Sequence, residues 1–104
     1  MRELSAKQLK EHLEENTPFL LDVRQSWEYD ICHLDNSTLI AMAEIPVQID
    51  QLDKERETVV ICHHGIRSRM IGRYLESAGF SNIINLSGGV DEWAKTVDSM
   101  MATY

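Results

Sequence analysis

No stretch of this sequence is apolar for long enough to cross a membrane. The longest such runs, Leu39 to Ala43 and Val59 to Cys62, are strand-sized. The residues after Met1, Arg2-Glu3-Leu4-Ser5, lead directly into a charged amphipathic segment, and the apolar region of a signal peptide is missing. A chain of this kind is expected to stay in the cytoplasm. Cysteine is scarce, 2 in 104 residues, and no Cys-x-x-Cys spacing occurs. This excludes a disulfide framework and leaves two thiols. Basic charge is also in deficit, 10 Lys and Arg against 17 Asp and Glu, for a net charge of -7. Nucleic acid and anionic membranes need a basic face and are excluded as partners. Repeats, low-complexity tracts and Pro/Gly/Ser linkers are absent, so residues 1–104 are read as a single domain. A chain of 104 residues can bury an adequate core without disulfides or a structural metal.

One further absence is local. Between Glu57 and Glu76 there is no carboxylate, yet Arg67, Arg69 and Arg73 fall there with His63 and His64. An electropositive patch is therefore expected on an acidic surface, and Cys62 opens it.

What is present reads as strands alternating with helices. Ser5-Ala6-Lys7-Gln8 is a capping-box signature with Leu9 and Leu13 at helical spacing, predicting a helix that stops near Asn16. Phe19 to Val23 is a continuous apolar run, and such runs belong to strands covered on both faces. Trp27 to Leu34 reads as irregular, and Thr38 to Met42 as a short strand. Pro46, Val47, Ile49 and Leu52 suggest a short helix. The strongest strand is Thr58 to Cys62, β-branched and bounded by charge. A helix follows with Ser68 as its cap, an inward stripe of Ile71, Leu75 and Ala78, and Gly79 as terminator. Ile83 to Leu86 forms a last strand, and Val90, Trp93, Ala94 and Val97 mark the face of a final helix. Ser99 to Tyr104 carry no pattern. The expected fold is α/β on a parallel sheet, where ligands collect at the carboxyl ends of strands. Cys62, Asp22 and Arg24 all fall at such ends.

A cysteine between a buried strand and a helix faces unpartnered amides and the positive end of the helix dipole. Both favour the thiolate of Cys62. Gly65 permits a positive φ that curls the loop amides inward, and Arg67 adds a planar cation suited to an oxyanion. Against this stands an inert buried cysteine that merely ends a strand. Gly65, Arg67 and Ser68 in register between strand and helix favour chemistry.

The loop Cys62-His63-His64-Gly65-Ile66-Arg67-Ser68 resembles the active-site loop of the rhodanese-type sulfurtransferases. The likeness extends to Asp22-Val23-Arg24, Trp27-Glu28-Tyr29, His33-Leu34, Ile45-Pro46 and Leu86-Ser87-Gly88-Gly89-Val90-Asp91-Glu92-Trp93. It covers nearly the whole chain, from Leu4 to about Ala94. Cys32 stands where the family usually has glycine, and Asn36-Ser37 where glycine-alanine often follows; both bear on local backbone shape. The resemblance implies a rhodanese-like fold, a central parallel sheet of about five short strands with helices on both faces. It also implies a Cys62 persulfide, filled from thiosulfate or a persulfide donor and emptied by cyanide, a thiol or a protein acceptor. His63, His64, Gly65, Ile66, Arg67 and Ser68 would then bind the substrate sulfur and its anionic group, with Arg24 beside them or salt-bridged to Asp22 or Glu28. No cofactor and no metal is expected.

Cysteine phosphatases and arsenate reductases share the strand-loop-helix device but place five residues between cysteine and arginine; here there are four. A second alternative is a redox or binding module using Cys32 with Cys62. A metal site from Cys32, His33, Cys62, His63 and His64 lacks the usual zinc spacings.

Overall fold

The computed structural model describes residues 1–104. Five strands run parallel in one sheet, β1 (Arg2–Leu4), β2 (Phe19–Asp22), β3 (Thr38–Leu39), β4 (Thr58–Ile61) and β5 (Ile83–Leu86), in the spatial order β1-β5-β4-β2-β3. Five helices join them: α1 (Ala6–Glu15), α2 (Ser26–Ile31), α3 (Ile45–Gln48), α4 (Ile66–Ser77) and α5 (Gly89–Thr96). No helix is long and apolar enough to cross a membrane.

The continuous apolar strands are covered on both sides, as expected. Residues one apart along a strand point to opposite faces, and the buried side chains divide accordingly. Leu21, Val60 and Ile83 pack with Ile45, Ile71, Leu75 and Phe80 on the side of α3 and α4. Leu20, Val59, Ile61, Ile84 and Leu86 pack with Leu9, Cys32, Leu34 and Val90 on the side of α1 and α5. Both β4 and β5 are buried along their whole length.

The capping box at α1 is present: Ser5 accepts from the Gln8 amide at 3.2 Å, and the Gln8 side chain accepts from the Ser5 amide at 2.9 Å. Elsewhere the elements differ from expectation. Trp27 to Leu34 is largely helical, because Glu28 reaches back to the Gln25 amide at 3.0 Å and closes a second capping box around Gln25. Ser68 lies inside α4 and does not cap it; the N-cap is Gly65 at φ 95°. The strand expected at Thr38 to Met42 ends at Leu39, and Met42–Glu44 form a 3₁₀ turn leading into α3. The short N-terminal strand β1 was not expected; it gains its place by pairing with β5 along Arg2–Ile84, Glu3–Asn85 and Leu4–Leu86.

The sheet order places the functional region. From β2 the chain runs outward to the β3 edge, and from β4 it runs to β5 on the other side. The carboxyl ends of β2 and β4 therefore border a topological switch point, where open α/β sheets bind ligands. The Val23 amide donates to the Ile61 carbonyl at 3.0 Å, holding the residues after β2 against those after β4.

Leu75 is fully buried between α4 and the sheet, whereas Met100 is 90% exposed. Leu75→Ala is expected to lower unfolding free energy by about 3 kcal/mol and Met100→Ala by less than about 0.5 kcal/mol. Urea denaturation of both variants checks this.

Candidate active site

β4 delivers Cys62 to the switch point with its side chain on the α4 face of the sheet. Its residue is 1% exposed. The sulfur nevertheless faces the loop: Sγ accepts from the Gly65 amide at 3.1 Å and from the Ser68 amide at 3.3 Å, and the Ser68 hydroxyl lies 3.3 Å away. Two glycines make this possible. At Gly65 the backbone is left-handed and a Cβ would strike the Ser87 backbone. At Gly89 a Cβ would strike the Cys62 and His63 carbonyls. That close approach lets the first amides of α5 serve the loop from behind, Val90 donating to the Cys62 carbonyl at 3.0 Å and Asp91 to the His63 carbonyl at 3.1 Å. With its carbonyls taken up outward, the loop turns N–H groups toward the sulfur.

A polar chain continues behind Ser68. Its hydroxyl donates to Asn85 Oδ1 at 2.5 Å, and Asn85 Nδ2 donates to Glu3 Oε1 at 2.8 Å and to the Gly65 carbonyl at 3.2 Å. Asn85 and Ser68 are fully buried. Asn85 thus ties β5, the loop and Ser68 together, a role that sequence reading missed. Its only signal was one polar residue inside an otherwise apolar strand.

The cations of the loop are not free. Arg67 donates from both terminal nitrogens to the two oxygens of Glu28, each at 2.8 Å. Arg69 pairs with Glu3 at 2.9 Å, and Asp91 sits 4.0 Å from His64 and 2.9 Å from Lys95. Two of the three arginines in the electropositive patch expected from local sequence, Arg67 and Arg69, are therefore paired. Carboxylates distant in the chain supply the countercharges. Glu28 is 3% exposed and accepts two further bonds, from the Gln25 amide and, at 2.8 Å, from the Tyr104 hydroxyl. The Arg67 pair above all holds its carboxyl down to about 2, against the opposing effect of burial.

Arg24 is fully buried. It holds Asp22 through two nitrogens, Nε at 2.9 Å and Nη2 at 2.7 Å, and also donates to the Cys32 carbonyl at 2.7 Å and the Tyr104 hydroxyl at 3.0 Å. Of the two roles open to Arg24 on sequence, the geometry matches the salt bridge; a guanidinium this enclosed does not line an open pocket. Tyr104, which had no pattern to announce it, stacks on His63 with ring centroids 3.8 Å apart. Burial pushes its hydroxyl up to about 12, so it donates to Glu28 as a neutral phenol. Burial and the neighbouring His64 lower His63, which favours its neutral form. His64 is exposed at the loop edge, and so is Ile66 at the start of α4. Cys32 packs in the core on the opposite face of the sheet from Cys62, and both thiols are free. His63, His64 and Asp91 bring one ligand atom each within 4.8 Å of one another. His63 is stacked on Tyr104, and Asp91 is paired with Lys95.

A cysteine sulfur that accepts from backbone amides at the strand-to-helix junction of a parallel sheet is an arrangement that favours an anionic sulfur. Comparison with known proteins gives the class. The family model described as rhodanese-like domain matches residues 5–96, and the chain belongs to that family. YtwF of Bacillus subtilis is 35% identical over 94 residues, covering 89% of this chain and 90% of that protein. Thiosulfate sulfurtransferase GlpE of Coxiella burnetii is 32% identical over 74 residues, covering 71% of this chain and 69% of its own length. The adenylyltransferase and sulfurtransferase uba4 of Ogataea parapolymorpha is 34% identical over 92 residues, but the chain spans only 23% of its length. The crystal structure of a rhodanese-like domain protein from Staphylococcus aureus superposes with a TM-score of 0.82 at 31% identity, covering 89% of this chain and 91% of that one.

The ionised Glu28 stabilises the fold fully above its ordinary value of 4.5, and that contribution disappears as pH falls through about 2. Between these limits the wild type is expected to lose stability more steeply with falling pH than Glu28→Gln. Urea midpoints across the window test this; parallel slopes would contradict it.

Proposed function

We propose that this chain is a sulfurtransferase of one rhodanese-like domain, residues 1–104, that carries sulfane sulfur on Cys62. The observation that carries this reading is the pair of amides, Gly65 and Ser68, aimed at Cys62 Sγ. A site of that kind suits an anionic sulfur, first as thiolate and then as the terminal atom of a persulfide. The named activity of GlpE supports the same chemistry.

In the first step the Cys62 thiolate attacks the outer sulfur of the donor. A bond forms between the two sulfurs, the donor's own bond to that sulfur breaks, and sulfite or a thiolate leaves with the electron pair. In the second step a nucleophilic acceptor, cyanide or a thiol, attacks the outer sulfur, and the Cys62 thiolate is the leaving group. Two displacements through a covalent intermediate give ping-pong kinetics. The loop backbone from His63 to Ser68 holds the transferred sulfur. Arg67 is the loop cation that would face a donor's anionic end, and both its terminal nitrogens are already committed to Glu28. Its side chain is 35% exposed at the loop mouth. Cys62 lines none of the surface cavities and is 1% exposed.

Four residues between Cys62 and Arg67 make a smaller ring than the phosphatase loop, suited to one sulfur atom more than to a tetrahedral oxyanion. Treatment of the wild type with thiosulfate or an organic persulfide, followed by intact-mass measurement, is expected to show one added sulfur that cyanide removes. Cys62→Ser should gain none and should transfer sulfur to cyanide only at the background rate. Sulfur loading that survives in Cys62→Ser would overturn the assignment.

A further inference from the structure

The loop's arginine is neutralised from within the protein, and this bears on which donor the site accepts. A dianion such as thiosulfate reaches a thiolate easily only where uncompensated positive charge receives it. Arg67 is the cation placed for that task, and Glu28 occupies it with two bonds of 2.8 Å. Nor is Glu28 a carboxylate that a substrate displaces at little cost. It is 3% exposed, and its two oxygens accept four hydrogen bonds, from Arg67 twice, from the Gln25 amide and from Tyr104. Parting Arg67 from Glu28 would leave a buried carboxylate without its countercharge, which is unfavourable. Other charges nearby do not make up the deficit. Arg24 is committed to Asp22, Arg69 to Glu3, and His63 is shifted toward its neutral form. Glu28 and Asp91 both act electrostatically on His63, and Cys62 acts on Arg67, so these charges share one field at the sulfur loop.

We propose that Glu28 is a donor-selecting residue: its buried carboxylate neutralises Arg67 beside Cys62, so that the site disfavours dianionic thiosulfate and takes sulfur from a persulfide with an uncharged organic tail. The proposal rests on sulfur transfer at Cys62. With thiosulfate, the Cys62 thiolate and the donor bring three negative charges together and leave as a Cys62 persulfide anion and sulfite. With an organic persulfide in its protonated form, R–S–SH, the encounter holds only the thiolate's single charge. The new sulfur–sulfur bond gives protonated Cys62 persulfide, and R–S⁻ leaves with the electron pair. Glu28 touches neither sulfur; it acts through Arg67.

The test compares two donors, thiosulfate and 2-hydroxyethyl persulfide, in the wild type, Glu28→Gln and Tyr104→Phe. The wild type is expected to favour the persulfide in kcat/KM by at least about tenfold, with the thiosulfate rate rising as salt screens repulsion. Glu28→Gln keeps a hydrogen-bonding amide beside Arg67 and removes the charge, and should raise the thiosulfate-to-persulfide ratio of kcat/KM about tenfold. Tyr104→Phe removes one bond to Glu28 but leaves its charge, and the ratio should stay within about twofold. A ratio unchanged in Glu28→Gln while both donors load Cys62 would overturn the role of Glu28 and leave sulfur transfer intact. So would a wild-type thiosulfate rate that falls with added salt, a measurement independent of how the variants fold. If neither donor loads Cys62 in the wild type, the sulfur-transfer reading itself fails.

Discussion

The convergence of the Gly65 and Ser68 amides on Cys62 Sγ is the interaction on which the rest of this molecule's chemistry depends. A sulfur in a core of Leu21, Val23, Val60 and Ile71 would otherwise be one more small apolar group. Three unrelated features bring the amides there. The buried strand β4 fixes where the loop starts, the positive φ at Gly65 turns it, and the close approach of Gly89 lets α5 hold its carbonyls from behind. Each lies in a different part of the chain, and the site exists only once the sheet has assembled.

Around that centre the protein balances charge internally. The acidic surplus of the chain is partly used to match the loop's own cations, Glu28 with Arg67 and Glu3 with Arg69. Behind them, Asp22 and Arg24 form a fully buried pair whose remaining donors reach Cys32 and Tyr104. Every buried side-chain nitrogen and oxygen finds a partner. Such a network stiffens the loop, since losing one member would strand the others without compensation. It also commits both Arg67 and Arg69 to carboxylates of the same chain.

Much of this architecture was readable before folding. The capping box at Ser5, the β-branched run of β4 and the continuous apolarity of β2 are local patterns, and each corresponds to an element in the structure. The parallel sheet and the junction at Cys62 followed from them. What escaped was tertiary. Strand β1 is too short to show periodicity and exists because β5 pairs with it. Helix α2 is mixed in polarity along Trp27 to Ile31 because Glu28 faces inward to meet Arg67. The patch inferred from the carboxylate-free stretch after Glu57 is a count along the chain, and carboxylates 39 and 66 residues away pair with two of its three arginines. The local pattern suggests Ser68 as a cap, yet its hydroxyl donates to Asn85 and its amide to the sulfur. Tyr104 lies in a segment with no pattern, and its position against His63 and Glu28 depends on contacts that no spacing encodes.

Backbone amides are expected to report directly on the sulfur they hold. In a ¹⁵N-labelled protein, the Gly65 and Ser68 amide resonances should shift more than those of the surrounding helix when Cys62 takes up one sulfur. They should return when cyanide removes it. Resonances that stay in place while mass measurement records a loaded Cys62 would contradict the account, since the added sulfur would then rest outside the grip of the loop.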